Sequence, residues 1–169
     1  MTFADAQPDP GPIELRMAVE SDCAALRDLF EAGLLERQVP SNDTGADIDN
    51  LMEAYFSDEG QSGFWIAEDR GDLIGMIGVQ RASDHTAEIR RLRVREDYRR
   101  RGVGSMLLKE ALEFCRRLGY LKVVLDVRIE RGPAISMLEK FGFKLTRTRE
   151  VNGRKLLDFY IDLYSDPKA

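Results

Sequence analysis

Leu92-Arg93-Val94-Arg95-Glu96-Asp97-Tyr98-Arg99-Arg100-Arg101-Gly102-Val103-Gly104-Ser105-Met106-Leu107-Leu108 joins the end of an apolar–polar alternation to the start of a helical repeat. The alternation is what a half-buried strand requires. Val103, Leu107, Ala111, Phe114 and Leu118 recur at three and four, as an amphipathic helix requires. The first amides of a helix have no partners in their own helix and carry roughly half a positive charge, so that end binds phosphate. Gly102 and Gly104 keep Cβ atoms away and let a pyrophosphate approach the backbone. Arg99, Arg100 and Arg101 add charge, and Ser105 adds a hydroxyl on the first turn. A Gly-x-Gly alone is a weak signal. Between a strand, three arginines and this helix, it points to a bound anion.

Upstream, Ile13 to Ala18 alternates and reads as a strand with Ile13, Leu15 and Met17 on one side. Leu26, Leu29, Phe30, Gly33 and Leu34 mark a helix from a Ser21 N-cap to about Arg37, and 48–56 reads as a second, short helix. Gly63 to Glu68 and Leu73 to Gln80 form a hairpin around Asp69-Arg70-Gly71-Asp72. Thr86 to Val94 is a long strand with Glu88, Arg90, Leu92 and Val94 expected on one face. Downstream come a buried strand at Lys122 to Val127 and a short helix from Pro133 to Phe141. A last hairpin, Phe143 to Val151 and Lys155 to Leu163, turns at Asn152-Gly153. The order predicts an α/β (α+β) domain with a mixed sheet flanked by helices. Its boundaries are a lead-in at 1–12, one domain at 13–164 and a polar tail at 165–169.

Arg99-Arg100-Arg101-Gly102-Val103-Gly104 fits the Arg/Gln-x-x-Gly-x-Gly/Ala signature, and the chain resembles the GNAT superfamily of N-acetyltransferases. Ala87 to Val94 looks like that family's fourth strand, and Ala134 to Phe143 looks like its second motif. The resemblance covers nearly the whole chain from Ile13 onward. It implies a mostly antiparallel seven-stranded sheet with about four helices, splayed between strands 4 and 5. It implies acetyl-CoA as co-substrate, no metal, and direct attack by a primary amine of a small molecule or peptide in a ternary complex. Backbone amides of Arg101, Gly102, Val103, Gly104 and Ser105 would hold the pyrophosphate. Leu92, Arg93 and Val94 would pair with the pantetheine arm as an added strand. The Leu92 amide would polarise the thioester carbonyl. Homodimers are common in the family.

Two positions depart from the family pattern. Arg131 stands where Asn is common, and Leu138 stands where a Tyr commonly protonates the departing thiolate. Tyr160 and Tyr120 are the candidate replacements. Glu88, six residues before Val94, sits where one branch of the family has its general base. It also reads as a surface ion-pair partner of the neighbouring arginines. His85, the only histidine, is a further base candidate in a polar turn.

The 169 residues are 43% hydrophobic, enough for one core without a disulfide or metal, and Cys23 and Cys115 sit in no metal-ligand spacing. The N-terminal residues carry neither a basic region nor an apolar run, which predicts no signal peptide, no membrane partner and a cytoplasmic setting. Net charge is −5, yet seven arginines fall between Arg90 and Arg101, while Gln38 to Asp69 is acidic without Lys or Arg. The acidic segment suggests a cationic acceptor, with Phe64 and Trp65 as core or apolar lining. The arginine cluster also permits a nucleic-acid-binding reading, which the acidic whole disfavours. A regulatory domain that binds acyl-CoA without turnover is the other alternative.

Overall fold

The computed structural model describes residues 12–36, 38–40 and 42–164; the expected lead-in up to residue 11, the helix end at 37 and the tail 165–169 lie outside that set. Its strands are β1 (Glu14–Met17), β2 (Gly63–Asp69), β3 (Asp72–Arg81), β4 (Thr86–Val94), β5 (Lys122–Arg128), β6 (Lys144–Val151) and β7 (Arg154–Asp162). They form one sheet in the order β1-β2-β3-β4-β5-β7-β6, antiparallel throughout except for the β4–β5 pair. This is the mixed, mostly antiparallel seven-stranded sheet the sequence led us to expect.

The helices are α1 (Cys23–Leu35), α2 (Ala46–Asp49), α3 (Leu51–Phe56), α4 (Val103–Arg117) and α5 (Gly132–Lys140). There is one more than expected among the described residues, because 48–56 is not a single helix. Asn50 leaves helical geometry at φ −115°, ψ 47°, and its side-chain amide donates to the Ala46 carbonyl at 2.9 Å.

Each sheet face carries its own apolar layer. Leu107, Ala111 and Phe114 of α4 pack on Ala87 and Ile89 of β4 and on Val123 and Leu125 of β5. Trp65 meets Phe114 edge-on at 4.8 Å in the same layer. On the other face Phe30 of α1 and Leu51 and Tyr55 of α3 cover Phe64, Ile66 and Met76. Phe64 and Trp65 are therefore both core, and neither lines an acceptor site.

Two irregularities shape the centre. The β4–β5 ladder has only three pairs, Thr86–Lys122, Ala87–Val123 and Glu88–Val124, after which the strands part. β5 continues on its other side along β7 to Arg128–Leu156. The second irregularity is a bulge in β4. Met76 pairs with Arg93 but Gly78 with Arg90, so Arg91 and Leu92 together oppose one residue of β3. Arg91 takes φ +61°, a left-handed value that costs a non-glycine residue about 1–2 kcal/mol. Its guanidinium is held by Asp43 at 2.5 and 3.0 Å and by Asp47 at 2.6 and 3.0 Å, over the Phe30 ring. Those contacts offset the strain.

The bulge corrects the expected common face. Arg90 bonds to Gln80, which reaches Ala54 of α3, whereas Leu92 and Val94 pack with the α4 layer. Alternation breaks between Arg90 and Arg91, which both face the α1–α3 layer, while Ile89 and Leu92 face α4.

Candidate functional site

Where β4 and β5 part, the gap opens into cavities in series. An outer one of about 620 Å³ lies against Gly102, Gly104 and Ser105 of α4, with Met137, Lys140 and Phe141 of α5 opposite. An inner chamber of about 230 Å³ lies between Ile89, Arg90 and Arg91 on one side and Leu125, Arg128 and Leu138 on the other. Gln38, Leu92, Arg93, Arg131 and Ala134 border both, and so form the passage between them. A third, open cleft of about 950 Å³ carries Glu88, Val124 and Tyr160 and shares Leu125 and Asp126 with the inner chamber.

The outer cavity has the chemistry of an anion site at one end. Gly102 caps α4 at φ +79°, and a Cβ there would meet nothing within 4 Å, so its backbone faces open space. The first α4 turn closes with the Met106 N–H on the Gly102 carbonyl at 3.0 Å. The amides of Val103, Gly104 and Ser105 are thereby left outside the helix's own ladder. A Cβ on Gly104 would lie 3.3 Å from the Met137 Sδ, so glycine lets α5 close over α4.

The three arginines of the turn separate. Arg100, at φ +64°, and Arg99 border the cavity, whereas Arg101 is not among its lining and stacks over Tyr98 at 5.1 Å. Arg99 donates to the Val94 carbonyl at 3.2 Å and to Glu36 at 2.5 Å. Lys140 supplies a cation that sequence reasoning passed over. Its signal was available, because Pro133, Met137 and Lys140 recur at four and three and share one helix face.

Leu92, Arg93 and Val94 all line the outer cavity, on the unpaired edge of β4. The Arg93 side chain points away from it, buried with Nε on the Leu29 carbonyl at 2.9 Å and an ion pair to Glu36 at 2.9 Å. Leu138 is fully buried against the inner chamber and offers no donor.

Glu88 is the last β4 residue paired with β5, which puts it at the apex of the gap. Burial raises its carboxyl above the ordinary range; Arg90, at 3.7 Å, opposes the rise and Asp126 adds to it. Tyr160 pairs with Val124, in the same row of the sheet. At strand spacings of about 4.8 Å it lies about 10 Å across from Glu88 and about 13 Å along the strand from Leu92. Its ring faces the open cleft beneath the Lys122 ammonium, 5.2 Å away, so the fold does not bring it to Leu92. Tyr120 is buried, its hydroxyl donating to the Gln61 carbonyl at 2.6 Å. His85 borders only the open cleft.

Three carboxylates of the acidic segment are ion-paired within the fold, while Glu53 and Glu59 are exposed. Asp43 and Asp47 clamp Arg91, and Asp49 pairs with Arg27. Burial is the largest single influence and pushes Asp43 and Asp47 up, but the hydrogen bonds and charge of Arg91, together with the Gly45 amide on Asp43 and the Tyr55 hydroxyl on Asp47, outweigh it and hold both carboxyls below the usual range. Among the described residues no three His, Cys, Asp or Glu side chains form a metal-ligating group, and no helix is long and apolar enough to cross a membrane.

Residues 25–143 match the model of the acetyltransferase (GNAT) family. Human N-acetyltransferase 8 is 32% identical over 105 residues, covering 59% of this chain and 46% of that protein. Rat N-acetyltransferase 8 is 30% identical over 122 residues, covering 69% and 54%. N-acetylaspartate synthetase of Danio rerio is 32% identical over 94 residues, covering 55% and 33%. The chain thus spans about half the length, or less, of these curated relatives. Among solved structures, a GNAT acetyltransferase of Staphylococcus aureus superposes with a TM-score of 0.80 at 17% identity, over 90% of this chain and 99% of that one. YncA of Salmonella typhimurium, solved with its cofactor acetyl-CoA, gives 0.79 at 22%, over 92% and 96%. At those identities the likeness is one of fold.

Proposed function

The chain belongs to the acetyltransferase (GNAT) family, and from that membership we propose that it transfers the acetyl group of acetyl-CoA to a primary amine of a small molecule or peptide. The observation that carries this reading is the parting of β4 from β5 beyond Glu88, which opens one continuous path from the α4 N-terminus to the inner chamber. The pyrophosphate is held at the amides of Gly102 to Ser105, with Arg99, Arg100 and Lys140 beside it. The pantetheine arm runs along the open edge of Leu92 to Val94 as a supplementary strand. The acetyl group enters the inner chamber, where an amide near Leu92 polarises its carbonyl.

The acceptor approaches from the open cleft as an ammonium and must lose a proton before it attacks. Glu88 is the base, by its position at the apex and its raised proton affinity. The amine nitrogen then adds to the thioester carbonyl carbon, and the C–S bond breaks with its electron pair on sulfur. Cys23 and Cys115, both free thiols, accord with a reducing, cytoplasmic setting.

Calorimetry with acetyl-CoA, followed by thiol release across an amine panel, tests the reading. Gly102→Val places a β-branched side chain at φ +79° in the space assigned to phosphate. We expect it to weaken acetyl-CoA binding about tenfold or more, equivalent to about 1.4 kcal/mol. Unchanged affinity would remove the pyrophosphate site from α4.

Leu138 favours the alternative of an acyl-CoA-binding domain without turnover, which would bind acetyl-CoA but release no thiol with any amine. Against the nucleic-acid reading stands the engagement of Arg91, Arg93, Arg95 and Arg99 by Asp43, Asp47, Glu36 and Asp97, which leaves less of the arginine cluster for a polyanion.

A further inference from the structure

Leu138 leaves the departing sulfur without the proton donor that the family usually provides, and the passage between the two cavities contains something else. A thioester with its pantetheine in the outer cavity and its acyl group in the inner chamber has its sulfur in that passage. Of the five residues bordering both cavities, Leu92 and Ala134 have apolar side chains. Gln38 accepts from Arg93 at 2.9 Å, and Arg93 is buried and turned to the Leu29 carbonyl and Glu36. That leaves Arg131, at the N-cap of α5. Its Nη2 donates to the Leu92 carbonyl at 3.1 Å, next to the peptide assigned to the thioester. None of the ion pairs found among the described residues includes it, and a guanidinium has five N–H donors.

We infer that the Arg131 guanidinium stabilises the coenzyme A thiolate as it departs, replacing general-acid catalysis by a fixed positive charge. This rests on the acetyl-transfer reading above. When the tetrahedral intermediate collapses, the electron pair of the C–S bond goes to sulfur. The sulfur leaves as a thiolate hydrogen-bonded to Arg131, and the amine's proton leaves toward Glu88 and solvent. No proton passes from Arg131, which keeps its charge at any working pH. The thiolate is protonated by water after release.

The electrostatics of the passage favour an anion there. Burial and the neighbouring charges of Arg93 and Arg99 make the Arg131 cation less favourable than in water, and Glu36 offsets them only in part. Deeper in the chamber Asp43 and Asp126 face Arg90, Arg91 and Arg128, and Lys140 borders the outer cavity. Cations outnumber carboxylates around the site, in surroundings where each interaction counts for more than in water.

The decisive measurement is the ionisation of the thiol of bound coenzyme A, followed by the ultraviolet absorbance of the thiolate in the binary complex. The reference is the thiol of free coenzyme A, titrated in the same buffer. In the unmodified protein we expect bound coenzyme A to titrate at least one unit lower; a value at or above that of the free thiol overturns the inference with no variant needed. Arg131→Gln should return the thiol to its free value and lower kcat about 10²-fold or more, as losing one fixed charge-stabilising donor does, while coenzyme A still binds. Arg131→Lys should recover part of both. Weakened coenzyme A binding with an unmoved thiol would assign Arg131 to the phosphates. A raised acceptor KM alone would assign it to the acceptor. Either result overturns the proposal. Failure of coenzyme A to bind the unmodified protein at all would instead sink the acetyl-transfer reading itself.

Discussion

At the scale of single residues, Glu88, Asp43 and Asp47 show how the same carboxylate group is put to different uses by its partners in the fold. Asp43 and Asp47 are tied to a guanidinium and held ionised, so they cannot take a proton near neutrality. Glu88 is half-buried, its one cation is a loose 3.7 Å away, and Asp126 lies near. A carboxylate with raised proton affinity is the stronger base toward an ammonium. Glu88→Gln should therefore lower kcat about 10²–10⁴-fold with little change in acetyl-CoA affinity. In the unmodified protein kcat/KM should fall as pH drops through the Glu88 pKa, above the ordinary range for glutamate, and the variant should lack that limb. If steady-state profiles of the two proteins ran parallel, Glu88 would be only an ion-pair partner of Arg90.

At the scale of elements, the bulge in β4 connects local strain to the opening of the site. Two residues against one of β3 turn the strand over, sending Arg91 to α1 and α2 and leaving Leu92 and Val94 on the cavity side. Arg91→Met removes the cation and strands two carboxylates in a mostly buried place, their side chains 25% and 12% exposed. Denaturant unfolding should show a loss of about 3–5 kcal/mol at neutral pH. Because Asp43 and Asp47 have depressed pKa values, their contribution is complete above the unfolded carboxylate value of about 3.9 and is lost as pH falls below it. The gap between the two proteins should narrow on acidification; a constant gap would mean that Arg91 acts through packing on Phe30 alone.

The strands were legible from sequence because alternation and turn residues are local. Asp69-Arg70-Gly71-Asp72 and Asn152-Gly153 mark their hairpins, and the observed left-handed values at Arg70, Gly71, Asn152 and Gly153 are those such turns need. The α4 N-terminus was legible for the same reason. The bulge was implied only by the family resemblance, where one often accompanies the splay, and had no local signal, since the side chains that stabilise it come from 44 and 48 residues away. Arg131 stood out only as a departure from the family pattern, and nothing local gave it a role. What singles it out is the divergence of two strands, which one segment cannot encode.

At the scale of the whole molecule, the sheet supports two cores, and the two halves are joined at the centre by three ladder pairs between β4 and β5. Beyond Val124 the β4-facing edge of β5 and the outer part of β4 have no strand between them. A pantetheine arm in that gap would act as the missing strand, bringing β4, α4 and α5 under a single ligand. Acetyl-CoA at about 100 times its Kd should add about 2.7 kcal/mol of stability. For a chain of this size that raises Tm by about 5–10 °C. The slowing of amide hydrogen exchange should be uneven, because contacts are made at the gap and at the N-terminus of α4. Protection should concentrate at Leu92 to Val94 and at Gly102 to Ser105, with little change in β1, β2 or β6 on the flanks. Uniform protection over all strands would mean that the ligand merely shifts global unfolding. Protection confined to β6 and β7 would put the ligand in the open cleft, and acetyl-CoA would then lie on the wrong side of the sheet for the chemistry assigned to Leu92 and Arg131.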